Sequence, residues 1–360
     1  MIVYILVFIV TFLLSYFLPA KTDQELKRKL VVMFIPLFLF GALRVDMGND
    51  YQSYVDYFDE FHRDVDFSFD ETSHAEIGYQ LLCYIMPSHR SIIVLNTFLL
   101  CLAFGLFIYR NVPKQYIWVA VLIIFFNVDK NIYGSMVGMR NGFAVITFLL
   151  GSVFIQERRW PLFALVTLLA MSFHTSAVFF LPIAYLIGRR TEITKIEIII
   201  WIVLLAVLGT MSSVGLLNTV TPFLMTYFDR YELYINEFTG HQGFLMVITT
   251  LILFYLLFTL FYANRKKLTP SQNSLLRLGL LYVASLYMGT ISMRAGYFYN
   301  VFFAGAVAAL LPFGSKHNSL SKILCIVAIV MSIYSMYLWM TAGHVAGNPL
   351  YTVYHSILDK

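Results

Sequence analysis

The sequence predicts an all-α, polytopic integral membrane protein, one domain over residues 1–360 with about twelve transmembrane helices. Three observations carry that expectation. Charged residues make up 12% of the chain and hydrophobic ones 59%, with mean hydropathy +0.75, whereas soluble domains carry about 25% charged residues. Apolar runs recur along the whole length, with no repeat, low-complexity tract or linker between them. The loops joining the runs alternate in charge. Basic loops at 21–29, 110–114, 158–159, 189–195, 265–267 and 316–322, with Arg277, hold 17 of the 25 Lys and Arg, and the opposite loops hold 15 of the 20 acids. By the positive-inside rule the basic loops face the cytoplasm. Both termini and the polar segment 42–78 then lie outside, at the periplasmic or extracellular face of the cytoplasmic membrane.

Spans need roughly 20 apolar residues, fewer where a helix enters only part way. The expected spans are 2–19, 30–43, 91–109, 115–127, 141–156, 160–173, 175–188, 197–213, 243–262, 274–291, 297–313 and 322–341. The first has no basic residues before it and no small-residue cleavage site after it, so it reads as a retained helix. Two external segments, 44–90 and 212–242, mix aromatic with polar residues. Within the first, 76–86 is apolar but short and reads as an interfacial or re-entrant helix. The pair 160–173 and 175–188 is also short. At 1.5 Å per residue each covers about 21 Å of a ~30 Å hydrocarbon core. Their turn, with His174 at the tip, must be buried in protein or line a wet cavity, because lipid cannot satisfy its backbone. With 115–127 and 141–156 this outlines a polar cavity sunk into the outer face.

Several function classes are excluded. The net charge of +5 comes in small clusters between apolar runs, which are topology signals and no nucleic-acid surface. Cys83, Cys101 and Cys325 fit no metal or redox spacing, and no disulfide is expected. The histidines have no ligand-like spacing, so no metal is expected. No phosphate-cradling glycine loop is present, so neither nucleotide nor other cofactor is called for.

The candidate chemistry centres on segment 42–78, which holds half of the acids in the chain. Arg44 closes the second span and is followed by Asp50, Tyr51 and Tyr54. Arg44 is either a snorkelling arginine with a local acidic partner or, paired with Asp50, a substrate contact at the cavity mouth. Arg140 opens a span, a costly place that demands a partner, with Asp129 and Glu76 available. Arg294 stands in an equivalent setting with no acid nearby in sequence. Two such outward arginines suit an anion such as diphosphate, whose oxygens match the planar guanidinium fork. A lone histidine on an apolar helix is usually a structural hydrogen-bonder. The recessed position of His174 also suits a general base or a leaving-group ligand. Asp50 and Glu76 are the next candidates.

These residues fall into short motifs: R-x-x-x-G-x-D-x-x-x-Y (Arg44, Gly48, Asp50, Tyr54), E-x-G-Y (Glu76, Gly78, Tyr79), R-x-x-x-A (Arg140, Ala144) and F-H-x-S-A (Phe173 to Ala177). In that order, with Arg294–Tyr299 and NPLY at 348–351, the chain resembles the EpsG/Wzy-like family of bacterial polysaccharide polymerases, which make O-antigen, capsule and exopolysaccharide. The resemblance implies a GT-C-like fold. It also implies transfer of a growing glycan from undecaprenyl diphosphate to the next lipid-linked repeat unit, with a chain-length regulator as a further partner. On that reading Arg140 and Arg294 bind diphosphate, His174 or Asp50 is the base, and Glu76 and Arg44 orient. Tyr51, Tyr54 and Tyr299 offer rings to sugar faces. A flippase or exporter of lipid-linked glycan, or a ligase using the same donor, would show much the same residues. Polar groups gathered at one face favour the enzyme over a transporter, which binds near the midplane.

Overall fold

The computed structural model describes residues 2–48, 50–62, 69–70, 72–127, 132–190, 194, 197, 199–201, 203–205, 207, 244–286, 291–313, 318–345 and 354–359. Side chains at 244–247, 291–294 and 339–345 lie outside that description, as do the 212–242 loop and the NPLY motif. The described residues are helical almost throughout. The helices are α1 (Ile2–Phe17), α2 (Asp23–Leu43), α3 (Tyr51–His62), α4 (Ile77–Ile85), α5 (His89–Asn111), α6 (Ile117–Phe126), α7 (Ile132–Val137) and α8 (Met139–Gly151). They continue with α9 (Val153–Gln156), α10 (Trp160–Phe173), α11 (Ala177–Gly188), α12 (Phe244–Asn264), α13 (Pro270–Ser285), α14 (Ile291–Leu310) and α15 (Asn318–Val345). Among the described residues, four helices are long and apolar enough to cross a membrane: His89–Asn111, Met139–Gln156, Ala295–Phe313 and Ser319–Leu338. Five shorter apolar helices, α10 and α11 among them, accompany these.

Caps explain where helix starts depart from the apolar runs. The helix expected at 30 begins at Asp23, because Thr22 accepts the Glu25 amide at 3.1 Å and the Glu25 carboxylate accepts the Thr22 amide, a reciprocal box that satisfies otherwise orphaned donors. Thr269 and Gln272 do the same for α13, which starts at Pro270 where 274 was expected. The span expected over 141–156 runs from Met139 to Gln156 through α8 and α9, whose junction at Ser152 keeps a helical backbone.

The surface shows what surrounds the bundle. Ile323, Ile326, Val330, Ile333 and Tyr337 are exposed along one side of α15, while Leu324, Cys325, Ala328 and Met336 are buried. An exposed apolar stripe of that length is foreign to a soluble monomer and natural against acyl chains. Inside, α13 and α14 pack along their lengths.

The helices sort their connections into two ends. At one end the hydroxyl of Tyr4 donates to the Phe125 carbonyl, and its ring packs on Phe40 and Tyr133. The only strands among the described residues lie there too: Arg44–Val45 pairs antiparallel with His355–Ser356, Arg44 opposite Ser356. The Tyr354 hydroxyl donates to Phe40 O at 3.0 Å and its ring stacks on that of Phe40. At the other end, Lys29 donates to Leu18 O, and Asn111 Oδ1 gathers Gln156 and Ser271 from α9 and α13. The described parts of the 21–29 and 110–114 loops and the adjoining ends of α9 and α13 therefore share one end, and Arg44–Val45 lies at the other.

Candidate functional site

The site is built where α4, α8 and the α10–α11 turn meet. Glu76 is the N-cap of α4. Its carbonyl accepts the amides of Tyr79 and Gln80 at 2.9 and 3.0 Å, but its side chain makes no cap bond and reaches across the bundle instead. Two features hold it there. Gln80, fully buried, donates to the carbonyls of Asp70 and Ala75 and accepts the Asp70 amide, tying down the loop before α4. Gly78 lies against the end of α10 so closely that a Cβ would stand 2.6 Å from Ser172 Oγ and 2.7 Å from Ser172 O. The E-x-G spacing thus places Glu76 beside the residue two positions after Ser172, which is His174.

Both carboxylate oxygens of Glu76 are in use. Oε2 accepts from Arg140 Nη1 at 2.8 Å. Oε1 faces His174 Nδ1 at 3.2 Å and accepts from the Thr175 amide at 3.1 Å and hydroxyl at 3.3 Å. A carboxylate only accepts, so it is Nδ1 that carries a proton toward Glu76, and Nε2 is the other ring nitrogen. Burial pushes the Glu76 pKa upward. The His174 hydrogen bond, the Arg140 charge and the Thr175 amide outweigh it and hold the group at about 2. Glu76 is therefore a fixed anion that no neutral-pH base chemistry uses.

Arg140 also donates to the His74 carbonyl through Nη1, and its backbone amide reaches the Tyr54 hydroxyl at 3.5 Å. Its guanidinium lies 5.7 Å over the Tyr57 ring. Its Nε–H is buried without an acceptor among the described residues. The rings of Tyr54, Tyr57 and Tyr79 pack on one another at 5.3–6.4 Å and wall the cluster. The side chains of Arg140 and Glu76 remain 24% and 11% exposed, so the ion pair is reachable from outside. The combination amounts to a cation with a spare donor and an oriented imidazole on one shared carboxylate.

The sequence-predicted residues divide. Glu76, Arg140, His174 and Tyr54 come together, and Glu76 rather than Asp129 is the Arg140 partner. Asp50 is exposed at the start of α3, close enough to act electrostatically on Tyr54 and Tyr57. The expected Arg44–Asp50 pair does not form. Arg44 is 1% exposed, and its guanidinium donates to Gly41 O at 2.9 Å, Thr97 Oγ1 at 3.1 Å and Met136 O at 2.5 Å. It is an internal clamp that joins α2, α5 and α7. Gly48, four residues on, sits at φ +93 where a Cβ would collide with Val137, so the R-x-x-x-G spacing is a packing motif. Tyr51 stands edge-on to His89 at 5.3 Å, away from Arg140. Tyr299 is 2% exposed and donates to Phe180 O at 2.5 Å, inside the α11–α14 contact, where no sugar reaches it. The Arg294 backbone lies in α14, and its side chain is outside the described set.

Four contributors escaped the sequence reading. Tyr57 continues the Tyr51–Tyr54 spacing of three, which puts successive rings near one face of α3. Thr175 is the variable position inside F-H-x-S-A. Gln80 follows E-x-G-Y directly. Arg90, in the second position of α5, donates to the carbonyls of Ala42 and Arg44 at the end of α2. Nothing in its sequence neighbourhood marks that role.

The chain matches the EpsG family over residues 27–356. The chain belongs to the EpsG family. Members of that family are Wzy-like polysaccharide polymerases. No curated protein and no solved structure matches the chain.

Proposed function

We propose that this EpsG-family protein is a GT-C-like glycosyltransferase at the outer face of the cytoplasmic membrane. It moves a growing glycan from undecaprenyl diphosphate to the next lipid-linked repeat unit. The single observation that supports this most is the shared carboxylate: Glu76 holds Arg140 and His174 side by side at the partly open, non-basic end of the bundle. In the step, an acceptor hydroxyl oxygen attacks the anomeric carbon of the donor sugar. The bond from that carbon to the diphosphate oxygen breaks, and its electron pair leaves with the lipid diphosphate. His174 Nε2 takes the hydroxyl proton, held in the right tautomer by Glu76. Arg140, through its unpartnered Nε–H, stabilises the charge growing on the leaving group, with Arg294 as its proposed second cation. The donor is already activated by its diphosphate, so the reaction needs no nucleotide. Tyr57, the partly exposed ring of the aromatic wall, suits the apolar face of a sugar. On this reading the chain has about twelve spans in a single domain.

The test uses the full chain, purified in lipid, with its lipid-linked repeat unit, a chelator and no nucleotide sugar, and reads products as a ladder on a gel. Wild type makes a ladder. Arg140→Ala and His174→Gln, folded by thermal unfolding, each lose about 10²-fold or more of the rate. A ladder unchanged in both variants overturns the assignment. Movement of lipid-linked glycan across a vesicle membrane without a ladder puts a transporter in its place.

A further inference from the structure

At the opposite end of the α10–α11 hairpin lies a second site. α10 is 14 residues long, so its ends stand about 21 Å apart, and the Glu76 cluster sits at the far one. Here a cavity of about 480 Å³ opens between the start of α10, the end of α11 and the segment that follows, lined among others by Arg158, Trp160, Tyr185, Arg189, Arg190 and Glu197. Ligand pockets commonly measure about 300–1,000 Å³.

Three cations meet at its rim. Arg158, Arg189 and Arg190 are exposed and form no ion pair among the described residues, where the ion pairs lie elsewhere. Arg158 is held at φ +57, and the guanidinium of Arg189 lies 5.5 Å over the Tyr185 ring. α10 starts beside them with no side-chain cap on its first amides, which adds the positive end of a helix dipole. The floor is different. Glu197 is 4% exposed; Oε1 accepts from Arg277, while Oε2 is buried with no hydrogen-bond partner among the described residues. An orphaned buried carboxylate oxygen is costly unless something donates to it. The occupant must therefore bring an anion for the rim and a hydroxyl or N–H for the floor. The setting narrows it further. Trp160 is 65% exposed at the mouth, and Leu165, Leu168 and Leu169 are exposed further along α10, where acyl chains would lie.

We propose that this cavity binds the headgroup of an anionic glycerophospholipid of the phosphatidylglycerol type. The phosphodiester sits among Arg158, Arg189 and Arg190, a glycerol hydroxyl donates to Glu197 Oε2, and the acyl chains follow the apolar face of α10. Free phosphate satisfies the rim alone, and phosphatidylcholine has no donor for the floor.

The experiment measures lipid retention by native mass spectrometry, and thermal unfolding, on the full chain in a neutral detergent. Phosphatidylglycerol, phosphatidylcholine and inorganic phosphate are added separately. Wild type retains phosphatidylglycerol and is stabilised by it, and is not stabilised by the other two. Replacing all three exposed arginines (R158Q, R189Q and R190Q together) weakens phosphatidylglycerol retention about 100-fold. Equal retention of phosphatidylcholine by wild type overturns the proposal, as does undiminished phosphatidylglycerol binding in the triple variant. Stabilisation by inorganic phosphate equal to that by the lipid makes the ligand a soluble phosphate and overturns the lipid assignment. The wild-type arms stand whether or not the triple variant folds.

Discussion

Two arginine–glutamate pairs divide this bundle between them, and the contrast separates chemistry from architecture. Arg140 and Glu76 meet at the end that carries segment 42–78; Arg277 and Glu197 meet toward the basic end. Each guanidinium lies 5.7 Å from an aromatic ring, Tyr57 in one case and Phe261 in the other. Arg277 is fully buried and also donates to Asn273 Oδ1 at 2.9 Å from its own helix. Arg140 is 24% exposed, and its carboxylate partner is shared with a histidine and a threonine. A buried pair tends to break even against an apolar replacement, and its value shows when one partner is removed. Arg277–Glu197 therefore reads as a fastening between α13 and the segment after α11. Arg140–Glu76, open to solvent and joined to an imidazole, reads as equipment.

The largest effect should come from breaking the fastening on one side. Arg277→Met alone leaves Glu197 buried without its counter-ion and is expected to destabilise the protein by about 3–5 kcal/mol. Arg277→Met with Glu197→Leu should recover most of that stability, and the ladder with it. Thermal unfolding and the ladder assay on both variants check this. A double variant that folds but makes no ladder would mean that this pair, too, belongs to the chemistry, and the division between the two ends would collapse.

The second effect is a pH dependence confined to the other pair. The Glu76 pKa is held at about 2, below its ordinary value of 4.5. Its contribution to stability is therefore fully present above pH 4.5 and fades as pH falls toward 2. Each pKa unit is worth ~1.4 kcal/mol, so the loss is on the order of 2–3 kcal/mol. Unfolding of wild type and Glu76→Gln should be compared across that window. The difference between the two curves should shrink as the pH drops. A difference constant with pH would show that Glu76 is not held as the anion that orients His174.

How far the two ends were legible in the sequence follows from how each is encoded. The helical, multi-pass membrane character of the chain came through, because hydropathy is summed over many residues and no single neighbour overrides it. Helix starts at Asp23 and Pro270 did not, since caps extend helices into polar sequence. Within the site, Arg140 was marked by its cost, since a charge in an apolar run needs a partner, His174 by its recessed turn, and Glu76 by its place in the acidic segment. The same argument misled at Arg44, whose cost is met by backbone carbonyls that sequence does not display. Tyr299, expected as a ring for sugar, is buried and donates to the Phe180 carbonyl instead. Arg90 was invisible because its work is on the carbonyls of a helix end 46 and 48 residues away.

Gly78 offers a way to perturb the first pair without touching it. In Gly78→Ala the new methyl meets the backbone carbonyl and hydroxyl of Ser172, and α4 must move away from α10. Overpacking of this kind costs about 1–3 kcal/mol. The same shift opens the Glu76–His174 contact, so the ladder rate should fall by more than the stability loss explains. Full activity in a folded Gly78→Ala protein would mean that the Glu76–His174 distance does not matter to the reaction.

The smallest effect tests the one feature that the two pairs share. A guanidinium over an aromatic ring gains about 0.5–1 kcal/mol at exposed sites and about 2 when desolvated. Tyr57→Leu and Phe261→Leu remove the ring from each arginine in turn. If Arg140 is equipment and Arg277 a fastening, the same deletion must register in different measurements. Tyr57→Leu should slow the ladder about 2–5-fold with little change in unfolding, and Tyr57→Phe, which keeps the ring, should be near wild type. Phe261→Leu should lower unfolding stability and leave the ladder unchanged in what remains folded, because Phe261 is 1% exposed and packs only within the bundle. Losses of the same kind from both changes would mean that the two arginines do one kind of work. The exposure of Arg140, 24% against none for Arg277, would then describe the edge of a fold and not the mouth of a site.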